Sequence, residues 1–323
     1  MSHLPTPENT TIQFAHVAYQ FAACADERDY RSAYFQSYSV EDTRAQLGRA
    51  DVLVISGFWR NELLDHSPQL KFIQVAGAGY DAFDQAALRA RGIRLANSSG
   101  VNKNAVSEHA MGLILSLSRR LYEARDNQHK RHWRGMLSDF STREDELGGK
   151  TLLIYGLGAI GERLAKLAKA FDMRVVGIKR NPQVASVADE VVDPSEFASR
   201  LRTADFVALT CPLTDETRNV IDAQALAMMQ PRTHLVNVAR GACVDESALI
   251  DALEAGAIKG AALDTTVAEP LSEESKLWTM PNVVLTPHTA GETCAYERNV
   301  LDFLDQNLTR LWEGQQQLVN QVI

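Results

Sequence analysis

Thr151-Leu152-Leu153-Ile154-Tyr155-Gly156-Leu157-Gly158-Ala159-Ile160-Gly161 is the stretch on which the reading of the fold turns. Leu152, Leu153 and Ile154 form a short apolar run after the Gly148-Gly149-Lys150 turn, as a buried strand does. Gly156-x-Gly158-x-x-Gly161 follows at once. Leu164, Leu167, Ala168 and Phe171 then recur at helical spacing, and Met173 to Ile178 reads as a second strand. In this strand, turn, helix, strand context the glycines suit a dinucleotide: one for the tight turn, one for backbone approach to a pyrophosphate, one for close packing of helix on strand. Ala159, Ile160 and Gly161 open the helix, whose free amides and positive dipole end face the phosphates. Nearly half of the 323 residues precede this turn, so a separate folding unit is expected in front of it.

The end of the second strand qualifies the dinucleotide. An acidic residue about 20 positions after the glycines usually accepts hydrogen bonds from the adenosine ribose. Here the sequence is Gly177-Ile178-Lys179-Arg180-Asn181-Pro182, with no carboxylate. Lys179 and Arg180 stand where a 2′-phosphate would lie, and a guanidinium fork suits phosphate better than a bare hydroxyl. NADP is therefore the expected cofactor, with NAD possible; the plain alternative is that both cations end a solvated loop.

Composition fits a large α/β enzyme, with 45% hydrophobic and 23% charged residues. No apolar run approaches a spanning helix, and Met1 to Thr11 is polar, without the features of a signal peptide. A cytoplasmic protein is expected, with no membrane partner. Cys24, Cys211, Cys243 and Cys294 are scattered, which argues for reduced thiols and against a metal site. The formal net charge of −8, with bases interspersed among acids, makes nucleic acid an unexpected partner.

Ahead of the glycine turn, Ile12 to Tyr19, Asp51 to Ile55, Lys71 to Val75 and Ile93 to Ala96 read as buried strands separated by helix-like segments. Ala105 to Leu121 reads as one long apolar helix. The polar stretch Tyr122 to Glu146, which holds Trp133 and Met136, reads either as an arm making a subunit contact or as a surface loop with one buried tryptophan. After the turn, strand-like runs recur at Asp205 to Leu209, His234 to Val238, Gly260 to Leu263 and Val283 to Leu285. The expected architecture is an α/β unit followed by a doubly wound cofactor domain, and ligands gather at the carboxyl ends of strands in such a sheet. Thr210 to Thr214, Ala239 to Gly241, Asp264 and Pro287 to Gly291 occupy those places.

Three side chains there have chemical capacity. Arg240 can bind a carboxylate and polarise a ketone oxygen, His288 can deliver the proton that accompanies hydride, and Glu269 can hold the imidazole in one tautomer. Each has a dull alternative: a surface ion pair, a satisfied strand-end histidine, a solvated loop acid. All three falling beyond strand ends favours the catalytic reading.

These residues carry a resemblance to the D-isomer-specific 2-hydroxyacid dehydrogenase family, in particular to glyoxylate/hydroxypyruvate reductases. It runs through Val75 to Asp81, Asn97 to His109, the glycine turn, Pro212 to Arg218, Asn237 to Gly241, Glu269-Pro270-Leu271, and Leu277-Trp278 through Thr286 to Gly291. The resemblance implies Arg240, Glu269 and His288 as catalytic residues and the backbone of Ala76, Gly77, Ala78 and Gly79 as the cradle of the substrate carboxylate, with Arg240 and His288 also touching substrate. Cofactor contacts are expected from Gly156, Gly158, Ala159, Ile160, Gly161, Lys179, Arg180, Cys211, Pro212, Thr217, Val238, Ala239, Arg240, Asp264, His288 and Gly291. It further implies two doubly wound parallel-sheet domains, a flavodoxin-like substrate domain (1–100 and 292–323) and a Rossmann domain (101–291), with a cleft between them and a homodimer held through the cofactor domain. Two departures stand out: Thr265-Thr266-Val267-Ala268 leads to Glu269 where many relatives have Val-Phe after the aspartate, and Lys179 replaces the ribose-binding acid.

The substrate is less legible. Phe58 and Trp59 are expected to give the pocket an aromatic wall suited to a small or apolar group, and Arg60 reads as solvent-exposed rather than phosphate-binding. The leading expectation is an NADPH-preferring reductase of a small 2-oxo acid such as glyoxylate or hydroxypyruvate. The alternatives are a nucleotide-sensing, corepressor-like scaffold and a phosphoglycerate dehydrogenase-like enzyme. Oxidation of formate is disfavoured, because formate-oxidising relatives replace the glutamate that here is Glu269.

Overall fold

Apolar runs of four or five residues flanked by polar turns become the central strands of two parallel sheets. A computed structural model of the protein describes residues 4–323, so the first three residues of the polar Met1 to Thr11 stretch lie outside the described residues. The chain separates into two compact units. One runs to Asn102 and resumes at Thr293–Ile323; the other is Lys103–Glu292.

The first unit contains β1 (Thr11–Ala15), β2 (Ala33–Ser37), β3 (Val52–Ile55), β4 (Phe72–Val75) and β5 (Arg94–Ala96), all parallel in the order β2-β1-β3-β4-β5. That is the flavodoxin-like order, and both faces must be covered. Val52 and Val54 pack with Val300, Leu301, Leu304 and Leu308 of the helix Tyr296–Trp312 on one face. Leu53 and Ile55 pack with Leu47, Leu63 and Leu88 on the other. The polar Gln74 within β4 is accommodated because it donates to Ser98 Oγ (3.1 Å) and accepts from Asn307 Nδ2 (2.9 Å).

The second unit contains β6 (Thr151–Tyr155), β7 (Arg174–Ile178), β8 (Glu190–Val192), β9 (Phe206–Leu209), β10 (His234–Asn237), β11 (Gly260–Leu263) and β12 (Val283–Leu285). All are parallel, in the order β12-β11-β10-β9-β6-β7-β8. The order reverses between β6 and β9, the crevice where such sheets take ligands. Val106, Ala110, Met111, Leu113, Ile114 and Leu117 of the helix Lys103–Ser118 share one core with Leu164, Ala165 and Ala168 of the helix Ala159–Ala170.

Several expectations change in detail. β1 ends at Ala15 rather than Tyr19, and β2 and β8 were not anticipated. The long helix is broken: Arg120 adopts φ 50°, and a second helix, Leu121–His129, follows. Trp133 is 97% exposed, which removes the reading of a loop with one buried tryptophan. Trp59 does not serve as a pocket wall; it is 3% exposed and stacked on Phe83 at 4.7 Å, because that large ring fills the core behind β3 and β4. Among the described residues, no helix is long and apolar enough to cross a membrane, no His/Cys/Asp/Glu group could hold a metal ion, and all four cysteines are free.

Candidate active site in the second unit

Gly156 adopts φ 106°, and a Cβ there would stand 2.5 Å from the Cys211 amide nitrogen. Only glycine tolerates both constraints. The Gly156 and Leu157 amides donate to the Ile178 carbonyl (3.2 and 3.1 Å), and Thr210 Oγ1 donates to the Gly156 carbonyl (2.8 Å), fixing the turn against β7 and β9. Gly158 is different: it is exposed, and a Cβ there would meet nothing within 4 Å. It caps the helix Ala159–Ala170 without a side-chain hydrogen bond, so the first amides of that helix keep their capacity for an anion. These features fit a pyrophosphate. Cys211, whose thiol is pushed up by a hydrogen bond with Cys243 and by burial, packs beneath the turn. Thr217 Oγ1 donates to the Pro212 carbonyl (2.7 Å) and accepts from the Thr214 amide (2.7 Å), shaping the loop after β9.

At the end of β7, Lys179 Nζ lies 3.5 Å from Glu162 Oε1, on the first turn of the same helix. Glu162 also receives Ser186 Oγ (3.0 Å) and the Val187 amide (3.3 Å), so it ties the following loop to the helix. Arg180 is exposed. No carboxylate occupies positions 179–182.

The end of β10 presents Arg240. Asn237 Oδ1 accepts from the Ala239 amide (3.0 Å) and Asn237 Nδ2 donates to the Arg240 carbonyl (3.0 Å), folding the backbone into a fixed turn above buried Val238 and Ala239. The Arg240 side chain is exposed and forms no ion pair among the described residues; Nη1 donates to the Ala239 carbonyl (2.7 Å). Gly241 then runs so near the loop after β11 that a Cβ would lie 2.0 Å from the Thr266 carbonyl carbon. This brings the ends of β10 and β11 together.

That loop carries Glu269 and the end of β12 carries His288, the pair read from the sequence. His288 Nδ1 meets Glu269 Oε2 at 2.7 Å, while Glu269 Oε1 accepts from the Thr266 amide (3.1 Å). With Nδ1 donating to the carboxylate, the proton available for transfer sits on Nε2. Glu269, His288, Asp264, Thr266, Leu271 and Trp278 line a cavity of about 550 Å³. His288 adopts φ 55°, a left-handed backbone that costs of order 1 kcal/mol or more for a non-glycine residue. Asp264, 2% exposed, overcomes that cost. Its carbonyl accepts from the His288 amide (2.8 Å), Oδ1 from the Thr289 amide (3.0 Å) and Thr286 Oγ1 (2.6 Å), and Oδ2 from the Ala290 amide (3.0 Å). His109 Nε2 approaches Thr286 Oγ1 at 2.9 Å, and since that hydroxyl donates to Asp264, the histidine is the donor to it. Asp264 was anticipated as a cofactor contact; its carboxylate accepts from the Thr289 and Ala290 amides and from Thr286 Oγ1, one residue short of Gly291.

In the first unit, the Ala76 amide is taken by the Ile55 carbonyl (3.0 Å). Of the four residues expected to cradle a carboxylate, Gly77, Ala78 and Gly79 keep amides without an acceptor among the described residues, and Ala78 and Gly79 are exposed.

A family model described as "D-isomer specific 2-hydroxyacid dehydrogenase, NAD binding domain" matches residues 111–290. A glyoxylate reductase from Thermococcus litoralis is 34% identical over 266 residues, covering 79% of this chain and 77% of that protein. The chain belongs to the D-isomer specific 2-hydroxyacid dehydrogenase family. Solved structures agree. A dehydrogenase of this family from Aeromonas salmonicida superposes with a TM-score of 0.84 at 28% identity, covering 98% of this chain and 99% of that one. An NADPH-dependent glyoxylate/hydroxypyruvate reductase from Sinorhizobium meliloti does so with a TM-score of 0.78 at 26% identity, covering 97% of each chain.

The protein is thus an oxidoreductase of D-2-hydroxyacids with a nicotinamide-dinucleotide domain. Sequence reasoning missed the residues that hold these candidate side chains in place: Asn237 under Arg240, Thr266 behind Glu269, and His109 and Thr286 on Asp264. A polar residue inside an otherwise apolar strand or helix, as at Asn237 and His109, was the available signal.

Proposed function

We propose that this dehydrogenase reduces a small 2-oxo acid such as glyoxylate or hydroxypyruvate, with NADPH preferred over NADH. The observation that carries the reading is the His288–Glu269 pair at 2.7 Å on a cavity of about 550 Å³. The bound nicotinamide supplies the hydride. His288 holds the proton at Nε2 and delivers it to the carbonyl oxygen, Glu269 fixes the ring, and Arg240 polarises the same oxygen and draws the substrate's carboxylate. The unit Lys103–Glu292 is the cofactor domain, with contacts from the glycine turn, Cys211, Pro212, Thr217, Val238, Ala239 and Gly291; within the other unit, the Gly77, Ala78 and Gly79 amides are read as a carboxylate-binding nest. Preference for NADPH is supported by Lys179 and Arg180 at the end of β7 and by the NADPH dependence of the Sinorhizobium relative. Lys179 pairs loosely with Glu162 at 3.5 Å, so a 2′-phosphate would share the ammonium with that carboxylate, and exposed Arg180 is the second cation offered to it. A cytoplasmic homodimer completes the reading.

Initial rates with NADPH and NADH against glyoxylate, hydroxypyruvate, pyruvate and phenylpyruvate test it. Turnover with at least one acid and a higher kcat/KM for NADPH are expected, and Lys179→Asp moves the NADPH/NADH ratio about tenfold or more toward NADH through loss of a charge-assisted contact. Turnover with none of the acids favours a nucleotide-sensing scaffold.

A further inference from the structure

The Ala76–Gly79 turn is held by its carbonyls. The Ala76 carbonyl accepts from the Tyr296 hydroxyl (2.9 Å), the Gly77 carbonyl from the Ser98 amide (2.9 Å) and the Ala78 carbonyl from Asn97 Nδ2 (2.7 Å). In a trans peptide the carbonyl of one residue and the amide of the next point in opposite directions. Fixing these three carbonyls therefore turns the Gly77, Ala78 and Gly79 amides away from Tyr296, Ser98 and Asn97. Successive free amides make a concave site for an anion.

Two of the three anchors come from residues 97 and 98, directly after β5, and belong to the sheet edge itself. Tyr296 is distinct: it starts the helix Tyr296–Trp312, which returns to this unit from the far end of the chain. Its ring is fixed independently of its hydroxyl. It stacks on Tyr19 at 4.5 Å, and Tyr19 stacks on His16 at 4.2 Å. The neighbouring Glu297 accepts from the Gln20 amide (3.0 Å), and Asn299 Nδ2 donates to the Val101 carbonyl (3.1 Å), so the first turn of the helix is held on three segments at once. Burial pushes the Tyr296 phenol up to about 12, with Tyr19 and Glu297 acting in the same direction, so the hydroxyl stays protonated and donating throughout the working pH range. A Cβ on Gly77 would lie 4.0 Å from the Tyr296 oxygen, which places the first amide of the nest next to this anchor.

We propose that Tyr296 is a positioning residue for substrate: its hydroxyl, seated by the His16–Tyr19–Tyr296 stack, fixes the Ala76–Gly77 peptide so that the Gly77 amide faces the carboxylate of the 2-oxo acid. The inference rests on the reading of Gly77 to Gly79 as the carboxylate cradle. Tyr296 touches neither substrate nor cofactor and acts only through that peptide.

Tyr296→Phe keeps the ring and the stack and removes only the hydroxyl. In the NADPH-saturated enzyme, the Kd of the unreactive 2-oxo acid analogue oxamate and the KM of the oxo acid should rise about fivefold to tenfold, the scale of one lost hydrogen bond, while NADPH Kd, Tm and kcat change little. Tyr296→Leu, which also dissolves the stack, should raise oxamate Kd further and lower Tm. Hydrogen exchange of the wild-type peptide spanning residues 76–80 separates the two layers of the claim, since oxamate should slow it. If oxamate leaves that exchange unchanged, the cradle reading fails. If oxamate protects the wild-type peptide but binds Tyr296→Phe with unaltered affinity, the cradle stands and the role of Tyr296 is overturned. Equal losses of oxamate and NADPH affinity in Tyr296→Phe would likewise mark it as merely structural.

Discussion

The imidazoles of this dehydrogenase show how environment divides one residue type into different tasks. His288 is nearly half exposed, bonded to Glu269 and set at a left-handed backbone position, which suits the proposed role of proton donor. His234, at the opposite end of the sheet where β10 begins, is 6% exposed, stacked on Phe206 at 5.0 Å, and has no partner for Nδ1 among the described residues. Burial pushes it down to about 4, helped by Lys259. The folded state therefore holds fewer protons than the unfolded chain between about pH 6.5 and 4, and stability falls as pH drops through that window. The limiting slope for one proton is about 1.4 kcal/mol per pH unit. His234→Phe retains the stacking and removes the titration. Urea unfolding at pH 7.5 and pH 5 should show the stability of the wild type falling more than that of the variant, and parallel losses would show that His234 takes up its proton as readily in the folded state as in the unfolded one.

Short elements set how much of this molecule could be read in advance. β3, β4, β6, β9 and β10 are buried along almost their whole length, so their apolar runs stand out. β2 and β8 are edge strands with mostly half-buried residues, and an edge needs no continuous apolar run. The same logic applies to the site. Arg240, Glu269 and His288 were legible because chemistry-bearing side chains follow strand ends. Thr266 acts through its own amide on Glu269, Asn237 and Asp264 act on backbone amides, and Tyr296 acts on a carbonyl 220 positions away in sequence, contacts that no local pattern encodes. The glycine turn separates structural from ligand constraints within one element. Gly156→Ala forces a Cβ onto the Cys211 amide at a positive φ and should lower Tm by several degrees. Gly158→Ala meets open space at φ −93° and should leave Tm within about 2 °C while raising cofactor Kd about tenfold or more, because the added methyl meets only the pyrophosphate. A Gly158→Ala variant with unchanged cofactor Kd would remove the phosphates from this turn.

At the scale of the whole molecule, the second unit carries a surface that a lone copy leaves open. Leu121, Trp133, Met136 and Phe140 are 53%, 97%, 102% and 82% exposed within one segment of that unit. Large apolar groups gathered this way mark interaction sites, and the proposed homodimer supplies a second copy to cover them. Trp133→Ser with Met136→Ser should shift the sedimentation coefficient from dimer to monomer, and a double variant that sediments as the wild type would move the interface elsewhere. The central claim is narrower and chemical: ketone reduction by this dehydrogenase depends on a proton held at His288. Its most direct test is kcat/KM for glyoxylate or hydroxypyruvate with NADPH in His288→Gln beside the wild type, read with Tm. Loss of about two to four orders of magnitude at unchanged Tm is predicted for removal of a general acid. A His288→Gln enzyme that turns over at the wild-type rate would contradict the account.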